Sequence, residues 1–157
     1  MKLEDASWME IDDHLKNKNG ILLSMGSTEQ HGPIGLIGTD TICSYEIALK
    51  AAKINKLYVA PKISYTPANF NMSFPGTISI SENLFKNFIH EIISSIFSHN
   101  FKFIYIVNGH GANIEPSKQV INKFKKNKVF FKSWWDFPEV NLLRKKFFGE
   151  WEGMHAT

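Results

Sequence analysis

Short apolar runs alternate along this chain with longer segments of helical periodicity. Four runs have the length and composition of buried strands, and they lie at residues 21–23, 57–60, 101–107 and 129–131. Apolar residues spaced three and four apart predict helices between them, at residues 41–55, 83–99, 114–126 and 140–148. Strands that alternate with helices predict an α/β fold with a mostly parallel sheet flanked by helices. In such a sheet, ligands gather at the carboxyl ends of the strands.

Composition places the chain among globular proteins of one domain. It has 157 residues, of which 43% are hydrophobic and 21% charged, and its net charge is +3. The single arginine, Arg144, argues against a nucleic-acid interface. Cys43 is the only cysteine, so the sequence has no internal disulfide. No signal peptide or membrane span is evident. We therefore expect one cytoplasmic domain over residues 1–157 that binds neither nucleic acid nor a membrane.

The segment at residues 26–33 follows the first predicted strand and has the sequence Gly-Ser-Thr-Glu-Gln-His-Gly-Pro. Side chains two apart in an extended segment point to the same side, so Glu29 and His31 can face one point. Asp40, at the start of the next predicted helix, could direct its carboxylate to the same point. Its position alone suits a helix N-cap equally well.

A second strand end carries a histidine between two glycines, within Asn-Gly-His-Gly-Ala-Asn at residues 108–113. The glycines allow the backbone around His110 to approach a ligand closely. With the first segment, this histidine gives two carboxylates and two imidazoles, a set that suits a divalent transition metal. Asn108 and Asn113 are better suited to fixing the loop through bonds from side chain to backbone.

These segments resemble the signature of the creatininase (creatinine amidohydrolase) family. Residues 26–40, 74–79 and 107–113 resemble three blocks of that family, in the family's order. The resemblance implies a metal-dependent hydrolase of carbon–nitrogen bonds other than peptide bonds. It would act on a cyclic amide such as creatinine, or on a related small amide. It would use two divalent ions, zinc with manganese or iron, and form a homo-oligomer, often a hexamer.

The resemblance also implies a role for each candidate residue. Asp40 would bridge the two ions. Glu29 and His110 would complete one metal site, and His31 would belong to the other. A bridging water would attack the amide carbon. His155 matches a His-Ala block of the family, and would be the catalytic residue that passes a proton to the departing nitrogen.

The chain departs from the family pattern near these residues. Ala112 stands where other relatives carry a ligating glutamate, and the glutamate that follows His-Ala in many relatives has no counterpart before Thr157. Glu115 and Glu152 are possible substitutes for the missing ligand, but nothing in their spacing shows that either one is. Residues 34–38, Ile-Gly-Leu-Ile-Gly, replace a His-Leu-Pro pattern and change the pocket wall, so the substrate stays open.

Family members are usually longer, so the resemblance implies a creatininase-like domain that lacks its C-terminal third. Two alternatives to an active amidohydrolase therefore stay open. One is a truncated, catalytically weak or inactive subunit that binds metal. The other is an interaction protein that uses the long apolar helix at residues 83–99 for assembly. The metal content of the purified protein would distinguish the three hypotheses. Two ions per chain would indicate the active amidohydrolase, one ion the truncated subunit, and none the interaction protein.

Overall fold

A parallel sheet with strand order β2-β1-β3-β4 forms the centre of the fold. The structure is a computed structural model of the chain and describes residues 1–149. Its strands are β1 (Gly20–Met25), β2 (Tyr58–Val59), β3 (Phe103–Asn108) and β4 (Lys128–Ser133). All three strand pairs are parallel. The predicted α/β fold with a parallel sheet is confirmed.

Helices α2 (Thr39–Asn55), α3 (Glu82–Ser98) and α4 (Ile114–Ile121) connect successive strands. Helix α1 (Trp8–Asn17) precedes β1, and α5 (Pro138–Phe148) follows β4. Ser81 caps α3, because its hydroxyl accepts a hydrogen bond from the Leu84 amide. The predicted helix after residue 114 stops early and continues as a 3-10 turn at Asn122–Phe124. None of the helices in residues 1–149 is long and apolar enough to cross a membrane.

The sheet is buried on both faces around its central strand β1, whereas the edge strand β4 stays largely exposed. Alternate residues of β1 and β3 point to opposite sides, so one face carries Ile21, Leu23, Met25, Ile104 and Ile106. On that face they meet the apolar stripe of α3, formed by Phe85, Ile89 and Ile93, together with Val120 of α4. The opposite face, with Leu22 and Val107, packs against Tyr45, Ala48 and Ala52 of α2. This packing on both sides fixes the register of the strands, and hence the positions of their ends.

The carboxyl ends of β1 and β3 lie side by side. Met25 pairs with Asn108 in the register, and the Gly109 amide donates to the Met25 carbonyl at 2.8 Å. A long loop at residues 64–81 crosses above this edge and contains a 3-10 turn at Asn69–Asn71. Bridges from Thr28 to Ile78 and from Thr66 to Ser79 hold it in place.

Candidate metal centre

Glu29 and His31 follow β1 and converge as their alternation predicts. One ligand atom each of Glu29, His31 and Asp40 fall within 4.8 Å of one another, a spacing that a single metal ion could span. Glu29 is fully buried, whereas the side chains of His31 and Asp40 are 14% and 12% exposed. The centre is therefore most accessible from the side of His31 and Asp40.

Asp40 lies in the first turn of α2 and directs its carboxylate into the centre. His31 Nε2 lies 3.0 Å from Oδ1, while His110 Nδ1 and the Ser27 hydroxyl each lie 2.9 Å from Oδ2. The N-cap of α2 is Gly38, and no side chain makes a capping hydrogen bond there. The helix-cap alternative for Asp40 is therefore not what the structure shows.

His110 reaches the same point from the end of β3. Its Nδ1 lies 3.0 Å from Glu29 Oε1 as well as 2.9 Å from Asp40 Oδ2. Its side chain is only 2% exposed. As expected, Asn108 fixes the loop: its amide nitrogen donates to the His110 carbonyl at 2.8 Å, and its oxygen accepts from the His110 amide at 3.2 Å. Asn113 donates to the Gly26 carbonyl at 2.9 Å. The structure thus brings all four predicted metal ligands together.

The backbone fixes the proton on one nitrogen of each imidazole. His110 Nε2 lies 2.8 Å from the Pro67 carbonyl, and His31 Nδ1 lies 3.1 Å from the Glu29 carbonyl. A carbonyl only accepts, so each of these nitrogens must carry the proton. The opposite nitrogen of each neutral ring then presents a lone pair to a carboxylate oxygen. Two acceptors at this distance require a cation between them, either a proton or a metal ion.

The ionisation of these groups agrees with that requirement. Burial by itself would lower the pKa of His110, but the bonds to Asp40 and Glu29 outweigh it and raise the pKa to about 9. The hydrogen bond to Asp40 likewise raises the pKa of His31. Burial of Asp40 opposes its charge, yet the bonds from both histidines hold its pKa well below the usual range. Without metal, protons supply the positive charge; a divalent ion would displace them.

Residues of the long loop support these ligands from outside. The Asn71 amide donates to Glu29 Oε2 at 2.8 Å, and Gln30 Nε2 donates to Asn71 Oδ1 at 3.1 Å. Such outer partners orient ligands and tune metal affinity. Sequence reasoning did not single out Asn71 or the carbonyl of Pro67. The abundance of Asn and Ser in an uncharged loop was the one available signal.

Two glycines let the start of α2 enter between the strand ends. A Cβ at Gly26 would lie 2.2 Å from the Thr41 amide nitrogen, and one at Gly109 would lie 2.2 Å from the Asp40 carbonyl oxygen. Gly111 differs, because a Cβ there would meet nothing within 4 Å. The close approach of Gly26 and Gly109 thus sets the position of Asp40.

Other candidate residues do not join the centre within residues 1–149. The Glu115 carboxylate is 73% exposed and pairs with Lys118 at 2.8 Å, so the structure gives no support to it as a substitute ligand. His155 and Glu152 lie outside the described residues. The rings of His14 and His90 pack against those of Tyr58 and Phe124, respectively.

Fold and centre together define an α/β protein with a candidate nitrogen–oxygen ligand set at the carboxyl edge of a parallel sheet. The family model named Creatininase, described as creatinine amidohydrolase, matches residues 4–157. The chain belongs to the creatininase family, whose members are hydrolases.

Curated relatives differ in what they act on. A 3-dehydro-scyllo-inosose hydrolase of Thermotoga maritima is 29% identical over 103 residues, which cover 65% of this chain and 33% of the relative. A mycofactocin precursor peptide peptidase of Mycolicibacterium smegmatis is 33% identical over 101 residues, covering 60% and 40%. The matches thus span well under half the length of these relatives.

Solved creatininases share the fold. A creatinine amidohydrolase (creatininase) structure superposes with a TM-score of 0.83 at 20% identity, covering 98% of this chain and 65% of that one. A structure named creatininase Mn gives a TM-score of 0.82 at 20% identity, covering 96% and 64%. The superposition accounts for almost all of this chain and about two thirds of each creatininase.

Proposed function

We propose that this chain is a metal-dependent amidohydrolase, with divalent ions held by Glu29, His31, Asp40 and His110. The observation that carries the proposal is the pair of imidazoles whose second nitrogens face carboxylates. These donors fit zinc or manganese, which prefer mixed nitrogen and oxygen ligands. Names of neighbouring creatininases mention manganese and a Zn–Zn form. These names support divalent metal ions in this fold, and the pair of zinc with manganese or iron stays a prediction.

The proposed reaction is hydrolysis of an amide carbon–nitrogen bond. Divalent ions bound at the centre would supply a water of lowered pKa and polarise the carbonyl oxygen. The oxygen of that water would end on the acyl carbon, the carbon–nitrogen bond would break, and the nitrogen would leave with a proton. The curated relatives act on an inosose derivative and on a peptide. An inosose has no carbon–nitrogen bond, so support for an amide comes from the peptidase and from the family model. The proposal is made for amides as a class, with creatinine or a related small amide as one member.

This chain's own residues would hold and orient the reacting groups. Buried Glu29 and His110 form the closed side of the centre, and the Pro67 carbonyl keeps the second nitrogen of His110 turned towards the carboxylates. A substrate would enter from the more exposed side of His31 and Asp40. His155 is proposed as the group that gives the proton to the leaving nitrogen. The homo-oligomeric state of the protein stays a prediction of the family resemblance, and its cytoplasmic location stays a prediction of the sequence composition.

Elemental analysis of the purified protein tests the metal part of the proposal. We expect two divalent ions per chain, and we expect Asp40→Ala to lose more metal than any other single change, because it contacts both histidines. Glu115→Ala is the matched control, since that carboxylate is exposed and pairs with Lys118. Full metal content in Asp40→Ala would refute the proposed centre.

Turnover separates the active enzyme from the alternative of a weak or inactive subunit. A panel of small amides, creatinine among them, would be incubated with the zinc- and manganese-loaded protein and assayed for released amine. Cleavage that Asp40→Ala abolishes and Glu115→Ala preserves supports the amidohydrolase. Metal binding without cleavage of any amide would favour the inactive subunit. No metal in any preparation would favour the interaction protein.

A further inference from the structure

Two segments beside the candidate centre carry no formal charge. Residues 30–39 and 63–81 contain no Asp, Glu, Lys or Arg, although 21% of the chain is charged. Both segments are loops in which charged side chains would ordinarily be well solvated. Their neutrality therefore points to a surface that meets an uncharged group.

Both segments touch the ligands and each other. The Glu29 amide donates to the Ile37 carbonyl at 3.0 Å, and the Gln30 amide donates to the Thr77 hydroxyl at 3.1 Å. Gly35 lies directly against His31, because a Cβ there would be 1.8 Å from the His31 carbonyl oxygen. Gly76 faces Ile37, whose Cδ1 would lie 3.1 Å from an added Cβ. The two segments thus form one continuous border beside the centre.

This border exposes large apolar side chains, which we call the apolar rim and which are Ile34, Leu36, Phe70, Met72 and Phe74. Each is at least half exposed, and Ile34 reaches 95%. The ring of Phe70 stacks on that of His110, with 6.1 Å between centroids and 16° between planes. Clustered exposed apolar side chains mark a binding surface, and this stacking places the surface next to a candidate ligand.

We propose that the apolar rim binds an apolar, uncharged side chain next to the scissile amide. The substrate would then be an amide of an aliphatic or aromatic amino acid, free or within a peptide, rather than a small charged amide. The inference rests on the proposed function, since it assigns the substrate class of the same centre.

A second copy of the chain is the other possible occupant of the apolar rim. A copy seated on Ile34 would lie beside Gly35, which packs against His31, and so would cover the His31 and Asp40 side of the centre, through which a substrate must enter. The substrate is therefore the occupant that these observations favour.

The affinities of hydroxamates test whether the apolar rim binds an apolar group, and they do so without requiring turnover. A hydroxamate binds metal through its head group and carries a tail that can be varied. Calorimetry on the zinc-loaded protein would compare acetohydroxamate, 4-methylpentanohydroxamate and succinic monohydroxamate. Each buried methylene contributes about fourfold in affinity. With two or three of its four additional carbons buried, the apolar-tailed compound should bind about tenfold to a hundredfold tighter than acetohydroxamate, while the charged tail should give no gain.

Substitutions in the apolar rim test whether the gain in affinity from the apolar tail arises there. Phe70→Ser and Met72→Ser should each reduce the ratio of the affinities for the apolar-tailed hydroxamate and acetohydroxamate at least threefold. The Met72 variant keeps the test valid if loss of the Phe70 ring disturbs His110. Trp8→Ser is the matched control: Trp8 is 78% exposed and lies near Asn100 and Phe101, at the opposite edge of the sheet. Its ratio should equal that of the unaltered protein.

The outcomes separate the two proposals. If the metal-loaded protein binds acetohydroxamate but the apolar tail adds nothing, or the charged tail binds as well, the apolar rim does not select the substrate and the proposed function stands. If no hydroxamate binds, the proposed metal centre fails and this inference falls with it. Self-association in sedimentation that Phe70→Ser or Met72→Ser abolishes would instead make the apolar rim a contact between copies.

Discussion

Replacing Gly109 by alanine tests whether close packing of the strand end against α2 sets the position of Asp40. The new methyl carbon would lie 2.2 Å from the Asp40 carbonyl oxygen and 3.1 Å from Ser44 Cβ. Real Cβ atoms essentially never approach closer than 3.0 Å, so one backbone or the other must move by about 0.8 Å. The neighbouring atom belongs to the backbone of a helix, which cannot rotate away as a side chain can.

A shift of this size exceeds the tolerance of the centre. Asp40 makes contacts of 2.9–3.0 Å with Ser27, His31 and His110, and productive sites require placement within about 0.5 Å. Misplacement by about 1 Å can cost on the order of 10²-fold in rate. We expect Gly109→Ala to weaken zinc binding and turnover by about that factor. Overpacking should also lower the free energy of unfolding by about 1–3 kcal/mol.

Gly111→Ala is the matched control because it adds the same methyl group on the other side of His110. That methyl would meet nothing within 4 Å, so zinc affinity and stability should stay close to those of the unaltered protein. Zinc affinity would be measured by competition with a chromophoric chelator, and folding by circular dichroism during urea denaturation. If the folded Gly109 and Gly111 variants bind zinc equally well, the packing argument is wrong.

Three further predictions concern other parts of the molecule. His155→Ala should lower turnover by about 10²–10⁴-fold and leave metal content intact; an equal loss of metal would instead make His155 a ligand. Asn71→Ala removes a donor to buried Glu29, and should lower the free energy of unfolding in urea by about 1–3 kcal/mol; an unchanged midpoint would contradict it. Burial and the charge of Lys18 lower the pKa of His14 from 6.5. The unfolded chain then binds the proton more readily, so stability should fall as the pH drops through 6.5, and His14→Gln should flatten that loss in urea titrations at pH 7 and 5.

The central strands and long helices were predictable because their apolar patterns are unambiguous. Residues 103–107 form a continuous apolar run, and β3 occupies this run and the following Asn108. The length of the edge strand β2 was overestimated, since only Tyr58–Val59 of the apolar run at residues 57–60 pairs with β1. Helix α1 was missed because none of its residues is buried. Its one clear signal was the capping box between Ser7 and Glu10.

The four candidate ligands were predictable because each lies within a short motif next to a predicted element. Asn71 and Pro67 were not, because their positions depend on the path of a loop that has no periodic pattern. That path is set by pairing at a distance, such as the bridge from Thr28 to Ile78. Sequence reasoning therefore identified the groups facing the centre but not the groups that orient them.

Contact between His110 and Asp40 joins residues seventy positions apart in the chain. Because His110 follows β3 and Glu29 follows β1, the complete ligand set exists only after these two strands have paired. Pairing of strands so far apart in the chain must first offset the entropy of loop closure, which slows folding. Convergence of the four side chains requires more order than strand pairing alone, so we expect it to follow the transition state. Bound zinc should therefore leave the refolding rate unchanged and slow the unfolding limb of the chevron. For this domain, the metal would govern how long the native state persists rather than how quickly it forms.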